Sequence, residues 1–266
     1  MWDTGEAARH WQQGAAGREQ VFGAATRRVL DLAGISAGMR VLDIAAGTGD
    51  QSFLASRLVG PNGTVLATDI SASMLAIAAE EARERGLTNI ETRVADAQQL
   101  DVPDGSFDAA ISRFGLMFLP DLHGALVRIG RALRPGGRLA AMVWSTPERN
   151  PLFALPLALA RAHAATSPTP DLFGLGDPQL LRQTYARAGF AVVAVETVTL
   201  EFRAPSVAAF VEGRQGAIGP LANLFAALDD EGRMRLRAEV ATALHPFEGR
   251  EGLVVPGEAL IAVGTR

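Results

Sequence analysis

The chain has 266 residues, 48% of them hydrophobic and 20% charged, with a formal net charge of −4. That balance describes a globular protein with a sizeable core, excludes a disordered chain and gives no electrostatic footprint for nucleic acid, which wants a basic patch. There is no cysteine and all 25 basic residues are arginine, which excludes disulfides and Cys-ligated metal, Schiff-base lysines, the phosphate-reaching lysine of a P-loop and a Tyr-x-x-x-Lys hydride-transfer pair.

Taken in order, residues 1–37 are expected to be helical. Glu19–Leu32 carries Val21, Phe22, Val29, Leu30 and Leu32 among charged residues, an amphipathic face. The earlier piece, with Trp2, His10 and Trp11, is read either as a flap over a site or as a helix packed on a sheet. Val41–Ile44 reads as a buried strand that breaks into the turn Ala45-Ala46-Gly47-Thr48-Gly49, followed by a helix from Asp50 to Leu58. Glycines let such a turn adopt unusual dihedrals, and the helix start offers free N–H groups and a positive dipole end to a polar ligand. At this point a dinucleotide, a phosphate and S-adenosylmethionine all remain candidates.

Further strands are expected at Thr64–Thr68, Ile90–Val94, Phe107–Ser112 and Arg138–Trp144. Helices fall between them at Ala72–Arg85, capped by Ser71, and Leu122–Leu133. This alternation means a parallel sheet covered on both faces, with ligands at the carboxyl ends of its strands. Asp69, Asp96, Arg113 and Trp144 stand at or just past such ends. Beyond Trp144 the rhythm changes. Helices are expected at Leu152–Ala165 and Pro178–Ala188, the latter holding the single tyrosine, Tyr185. A Pro/Gly loop spans Ser167–Asp177, and Phe190–Arg203 reads as a strand. Residues 206–245 read as helical with breaks at Gly213, Gly216 and Gly219-Pro220, and Leu253–Thr265 as a final strand.

The expected fold is therefore α/β, a Rossmann-like, seven-stranded, mostly parallel sheet with an antiparallel edge hairpin and helical cap insertions. Its segments are an N-terminal helical flap (1–37), a cofactor-binding core (38–146), a helical insertion (147–177), a core helix and strand (178–204), a helical cap insertion (205–250) and a final core strand (251–266). The start of the chain lacks the basic and apolar regions of a signal peptide, and no run of about 18 apolar residues occurs. A cytoplasmic protein without a membrane span is the expectation.

Five ordered pieces, residues 41–50, 67–75, 94–100, 107–118 and 133–139, give the chain its likeness. They read VLDIAAGTGD, ATDISASML, VADAQQL, FDAAISRFGLMF and LRPGGRL. The pattern resembles class I S-adenosylmethionine-dependent methyltransferases, closest to the ubiquinone/menaquinone-biosynthesis C-methyltransferase-like small-molecule group. The resemblance implies S-adenosyl-L-methionine as cofactor and S-adenosyl-L-homocysteine as product. It implies that Ala45, Gly47, Thr48 and Gly49 meet the cofactor's amino-acid tail. Asp43 would orient the turn or contact the cofactor's amino group, and Asp69 would bind the ribose hydroxyls. Ile70 and Met74 would sandwich the adenine, Asp96 and Ala97 would bond its edge with Gln98 as a neighbour, and Arg113 and Phe114 would border the methionine portion.

Trp11, Met117, Phe118 and Trp144 are candidate walls of a substrate pocket, and His10 and His123 are candidate bases. No metal-binding carboxylate set is expected. The expected partner is a small-molecule acceptor, with no nucleic acid; the oligomeric state stays open, a homodimer being one option. The alternatives are a non-catalytic binder of the same cofactor and an NAD(P)-dependent oxidoreductase. The latter is disfavoured because Ser52 replaces the third glycine of Gly-x-Gly-x-x-Gly and lysine is absent.

Overall fold

The computed structural model describes residues 5–163, 171–213 and 228–266. Gly216, Gly219 and Pro220, and the first part of the Ser167–Asp177 loop, lie outside the described residues. By compactness the chain divides into two units. One comprises the described parts of Trp2–Trp144, Leu172–Val198 and Ala259–Arg266. The other comprises the described parts of Ser145–Asp171 and Thr199–Glu258.

The first unit begins with two helices, α1 (Gly5–Gln13) and α2 (Ala15–Ala33), the second four residues longer at its start than the amphipathic pattern suggests. Gly34 closes α2 in the left-handed conformation. Then follow β1 (Arg40–Ile44), α3 (Asp50–Val59), β2 (Thr64–Asp69), α4 (Ala72–Glu84), β3 (Ile90–Val94), β4 (Phe107–Arg113), α5 (Leu122–Ala132) and β5 (Leu133–Trp144). Ser71 caps α4 as its sequence position suggests, its side chain accepting from the Met74 N–H. β5 starts five residues before the expected Arg138, because Leu133 already pairs with Phe107 before a register shift absorbs Pro135-Gly-Gly137.

α6 (Pro151–His163) and α7 (Pro178–Arg187) come next, then β6 (Ala191–Ala204), α8 (Val207–Gly213), α9 (Asp230–Leu244), β7 (Glu248–Gly249) and β8 (Gly252–Thr265). The sheet order is β3-β2-β1-β4-β5-β8-β6. Neighbours from β3 to β5 pair in parallel and β8 runs antiparallel to β5. The expected seven strands are all present. An eighth, the two-residue β7, turns back through Arg250-Glu251 to pair with β8, a hairpin too short for sequence periodicity to reveal.

Right-handed crossovers put α3 and α4 on one face and α5 on the other. Strands so covered are buried on both sides, which is why Val41–Ile44 and Val65–Thr68 read as continuous rather than alternating runs. One core cluster joins Leu42, Ile44, Leu126, Ile129, Leu139 and Leu181. Tyr185, 1% exposed, is packed into it with its ring tilted against Phe190 at 5.4 Å.

In the second unit α6 packs on α9, whose Leu236, Val240 and Leu244 are buried. Asn150, fully buried, donates to the Thr146 and Glu258 carbonyls and accepts from the Glu258 N–H. Phe153 and Phe202 meet edge to face at 5.3 Å. No helix among the described residues is long and apolar enough to cross a membrane.

Candidate functional site

The strand order reverses between β1 and β4, so the crevice beyond their carboxyl ends is the natural ligand position of this sheet. The turn leaving β1 is built from left-handed backbone. Ala45 has φ 55°, Gly47 φ 56° and Gly49 φ 89°. Gly49 is the N-cap of α3. A Cβ there would lie 2.7 Å from the Phe53 ring and 3.1 Å from Ala78, so neither the dihedral nor the space admits a side chain. Ala45 bears a side chain in a region that L-residues seldom enter, a strain typical of binding turns.

Asp43 is fully buried beneath the turn. Gln51 Nε2 and Ser52 Oγ, from the first turn of α3, each donate to one of its oxygens at 2.5 Å. The carboxylate thus ties β1 to the helix that follows the turn. Burial pushes its pKa up to about 7, against the opposing bonds from Ser52 and Gln51. Ser52, which breaks the third-glycine pattern, is therefore a partner of Asp43.

Asp69, at the end of β2, spans the two neighbouring strand ends. One oxygen accepts the Gly47 N–H at 2.8 Å and the other the Ser71 N–H at 2.9 Å. Ile70 follows it and is 64% exposed, whereas Met74 is 3% exposed. The two residues expected to flank one ring are thus of different kinds, one open to solvent and one in the core. Asp96, past β3, caps a short 3-10 turn (Ala97–Gln99) by accepting the Gln98 N–H at 2.8 Å. Gln98 bonds back to Asp96 and accepts the Asp121 N–H at 2.7 Å, linking this loop to the start of α5.

Arg113, at the end of β4, is held in a buried ion pair. Its Nη2 lies 2.8 Å from Asp50 Oδ2 and its Nη1 donates to Thr26 Oγ1 at 3.0 Å. Arg18 of α2 reaches the same carboxylate, its Nε 2.8 Å from Asp50 Oδ2. Burial alone would raise the Asp50 pKa, but the bonds and charges of Arg18 and Arg113 outweigh it and the net shift is downward. Arg18 also bonds the Trp11 carbonyl and lies over the Trp11 ring, 4.4 Å from its centroid. The N-terminal helices are thereby fastened to the Gly turn.

Phe114, with φ 58°, stacks on Trp144 at 4.1 Å, and Phe22 of α2 meets both rings edge on at 5.2 and 5.9 Å. This aromatic group stands at the carboxyl ends of β4 and β5. Met117 and Phe118, half-buried, lie in the short turn just beyond. His10 on α1 and His123 in the first turn of α5 are both exposed. Sequence reasoning missed Arg18, Phe22, Thr26 and Gln51. Their only signal was one arginine, one phenylalanine and one threonine along a helix that reads as ordinary packing, and a glutamine one residue past the motif's aspartate.

Residues 22–159 match the model of the ubiE/COQ5 methyltransferase family. Over 127 residues the chain is 46% identical to the ubiquinone/menaquinone biosynthesis C-methyltransferase UbiE of Hahella chejuensis, covering 47% of this chain and 51% of that protein. It is 42% identical to the protein of the same name from Pasteurella multocida, covering 47% of each. The chain spans about half the length of the curated relatives it matches. Among solved structures, the YcgJ protein of Bacillus subtilis superposes with a TM-score of 0.62 at 19% identity, over 92% of this chain and 98% of that one. A SAM dependent methyltransferase from Aquifex aeolicus gives 0.53 at 24% identity, over 66% and 83%. At these identities the structural likeness is one of fold. The family match takes in the Gly turn, Asp69, Asp96, Arg113 and Trp144 and runs over more than half of the sequence, so the chain belongs to the ubiE/COQ5 methyltransferase family.

Proposed function

We propose that the protein transfers a methyl group from S-adenosylmethionine to a small apolar or aromatic acceptor, a quinone-like or natural-product ring, by in-line displacement. The observation that carries this reading is the placement of Gly47–Gly49, Asp69–Ile70 and Asp96–Ala97 past the carboxyl ends of three adjacent parallel strands. The names of the curated relatives, C-methyltransferases of ubiquinone and menaquinone biosynthesis, favour carbon as the atom methylated.

The residues fit such a cofactor by their chemistry. The left-handed turn leaves no room for a side chain at Gly49 and brings main chain to the ligand. Asp69 stands at the end of β2 with its carboxylate fixed by the Gly47 and Ser71 N–H groups, an acceptor pair beside the turn of the kind ribose hydroxyls require. Ile70 is a large apolar side chain left 64% exposed beside that carboxylate, as the face of an adenine requires. Asp96 and the Ala97 backbone would take the adenine edge.

When bound, the cofactor supplies an electrophilic methyl group on a sulfonium. The work left to the protein is to hold the acceptor in line and exclude water. Phe22, Phe114 and Trp144 are suited to both, since they form an apolar wall whose ring faces also favour a neighbouring cation. The Phe114 N–H donates to the Met142 carbonyl at 2.8 Å, which keeps its backbone in place, and the neighbouring Arg113 is fixed by Asp50 and Thr26.

Titration calorimetry with S-adenosylmethionine, followed by mass-spectrometric detection of methyl transfer to a panel of quinols and phenols, tests the proposal. Saturable binding and a methylated ring are expected. Absence of binding would remove the reading altogether, and binding of NADH in its place would favour an oxidoreductase.

A further inference from the structure

The first two helices are held in different ways. α2 buries Phe22, Ala25, Val29 and Leu30, and its Arg18 and Thr26 bond Asp50 and Arg113. α1 fully buries Ala8 alone. Its Ala7, Trp11 and Gln12 are half-buried and its other residues are exposed. A helix this short does not persist by propensity and depends on its contacts. Those contacts are largely polar. Gln12 Nε2 donates to Glu81 Oε1 of α4 at 3.0 Å, and the Trp11 carbonyl accepts from Arg18.

Gly14 joins the two helices. It is exposed, and its φ of −79° and ψ of 1° interrupt the helical run. It has no side chain to resist rotation. On the far side of this joint α1 lies across the Gly turn. The indole Nε1 of Trp11 is 3.7 Å from the point a Cβ on Gly47 would occupy. Glu81, which Gln12 holds, stands one turn along α4 from Ala78, the residue 3.1 Å from a Cβ on Gly49. α1 thus rests on the turn at Gly47 and on α4 behind Gly49, with the turn between the two points.

We propose that α1 is a lid on the cofactor site, which swings on Gly14 away from Gly47 and α4 to admit S-adenosylmethionine and returns to enclose it. This rests on the cofactor assigned above. Opening breaks the Gln12–Glu81 bond and the contact of Trp11 with the turn, and it leaves the ties of α2 to Asp50 and Arg113 in place. Elements with few buried apolar contacts open locally at low free energy, whereas α2 would have to draw Phe22, Val29 and Leu30 out of the core. Closure shields the site from water, and release of the ligand then waits on opening.

The chain has no cysteine, so a variant with Gln12→Cys and Glu81→Cys carries only two thiols, and a short reducible bis-thiosulfonate reagent ties α1 to α4. Stopped-flow binding of S-adenosylmethionine is compared in this one variant unlinked, linked and after reduction, which cancels the effect of the substitutions. Linking is expected to slow both association and dissociation by about 10-fold or more, because each waits on a movement the tie forbids, and reduction to restore both rates. Rates unchanged by linking would overturn the proposal. So would a loss of affinity with dissociation no slower than in the unlinked form, the mark of a helix that merely packs. Hydrogen exchange on the native protein stands even if the variant folds poorly. The amides of α1 are expected to exchange about 10-fold or more faster than those of α4 in the free protein and to gain protection with the cofactor. Amides of α1 protected as strongly as those of α4 in the free protein would overturn the lid. Failure of the native protein to bind S-adenosylmethionine would instead strike at the cofactor reading.

Discussion

Asp43 and Asp69 show how differently two aspartates on adjacent strands are used. Asp69 is half-buried and bonded to backbone, so its substitution acts mainly on the ligand. Asp69→Ala is expected to weaken S-adenosylmethionine binding by about 2 kcal/mol or more, the scale of a charge-assisted pair of bonds; unchanged affinity by calorimetry would mean the ribose is held elsewhere. Asp43 is fully buried, and its effect lies in stability. Its folded pKa of about 7 stands above the unfolded value near 3.8. The folded state therefore holds a proton that the unfolded state releases between those values. The stabilisation is complete below about pH 4 and lost as pH rises through about 7, a difference of a few kcal/mol. Urea unfolding at pH 5 and pH 8 should show this loss in the native protein and not in Asp43→Asn; an equal change in both proteins would refute it. In the sequence Asp69 was legible as a strand-end acid and Asp43 as an acid inside a strand. What the sequence did not reveal was their partners, because Gln51, Ser52 and the Gly47 N–H become neighbours only once β1, β2 and α3 are folded together.

Among the elements, the turn between β1 and α3 tolerates little change. Gly49→Ala must place a Cβ at φ 89° and within 2.7 Å of the Phe53 ring. Strain and overpacking together should destabilise the protein by about 2 kcal/mol or more, read as a lower urea midpoint with an unchanged slope. A midpoint equal to the native protein's would show that the turn can rearrange. The order of strands and helices was readable because each element carries its own period and stop signals: the Val41–Ile44 run, the Ser71 cap, the glycines after helices. Two details were not. The extension of β5 back to Leu133 depends on pairing with Phe107, a residue far away in sequence. The fastening of α2 to the Gly turn depends on Arg18 meeting Asp50, and a single arginine on a helix is indistinguishable from a solvated one until its partner is known.

In the molecule as a whole, the parallel strands are completed by a stretch from the far end of the chain. Residues Ala259–Thr265 pair with Arg138–Trp144 along their full length and bury Leu260, Ile261 and Ala262. Removing Ala259–Arg266 would expose that face of β5 and leave its backbone groups unpaired, at a cost beyond the stability of an ordinary domain. Such a truncated chain is expected to be insoluble or to show no cooperative thermal transition; a sharp transition would mean that residues up to 258 suffice. The family match ends at Leu159, within α6, so this closing strand lies outside the portion shared with the family model.

The fastening of the N-terminal helices has an optical consequence. Trp11 sits at the Gly turn beneath the Arg18 guanidinium, while Trp144 is 5% exposed and stacked on Phe114. With neither lysine nor cysteine in the chain, side-chain amine- and thiol-directed dyes have nothing to label. The indoles take their place. Filling the turn is expected to change the emission of Trp11, and an acceptor seated against the aromatic wall that of Trp144; Trp2 is the third indole, so Trp11→Phe and Trp144→Phe variants assign each change to its ligand.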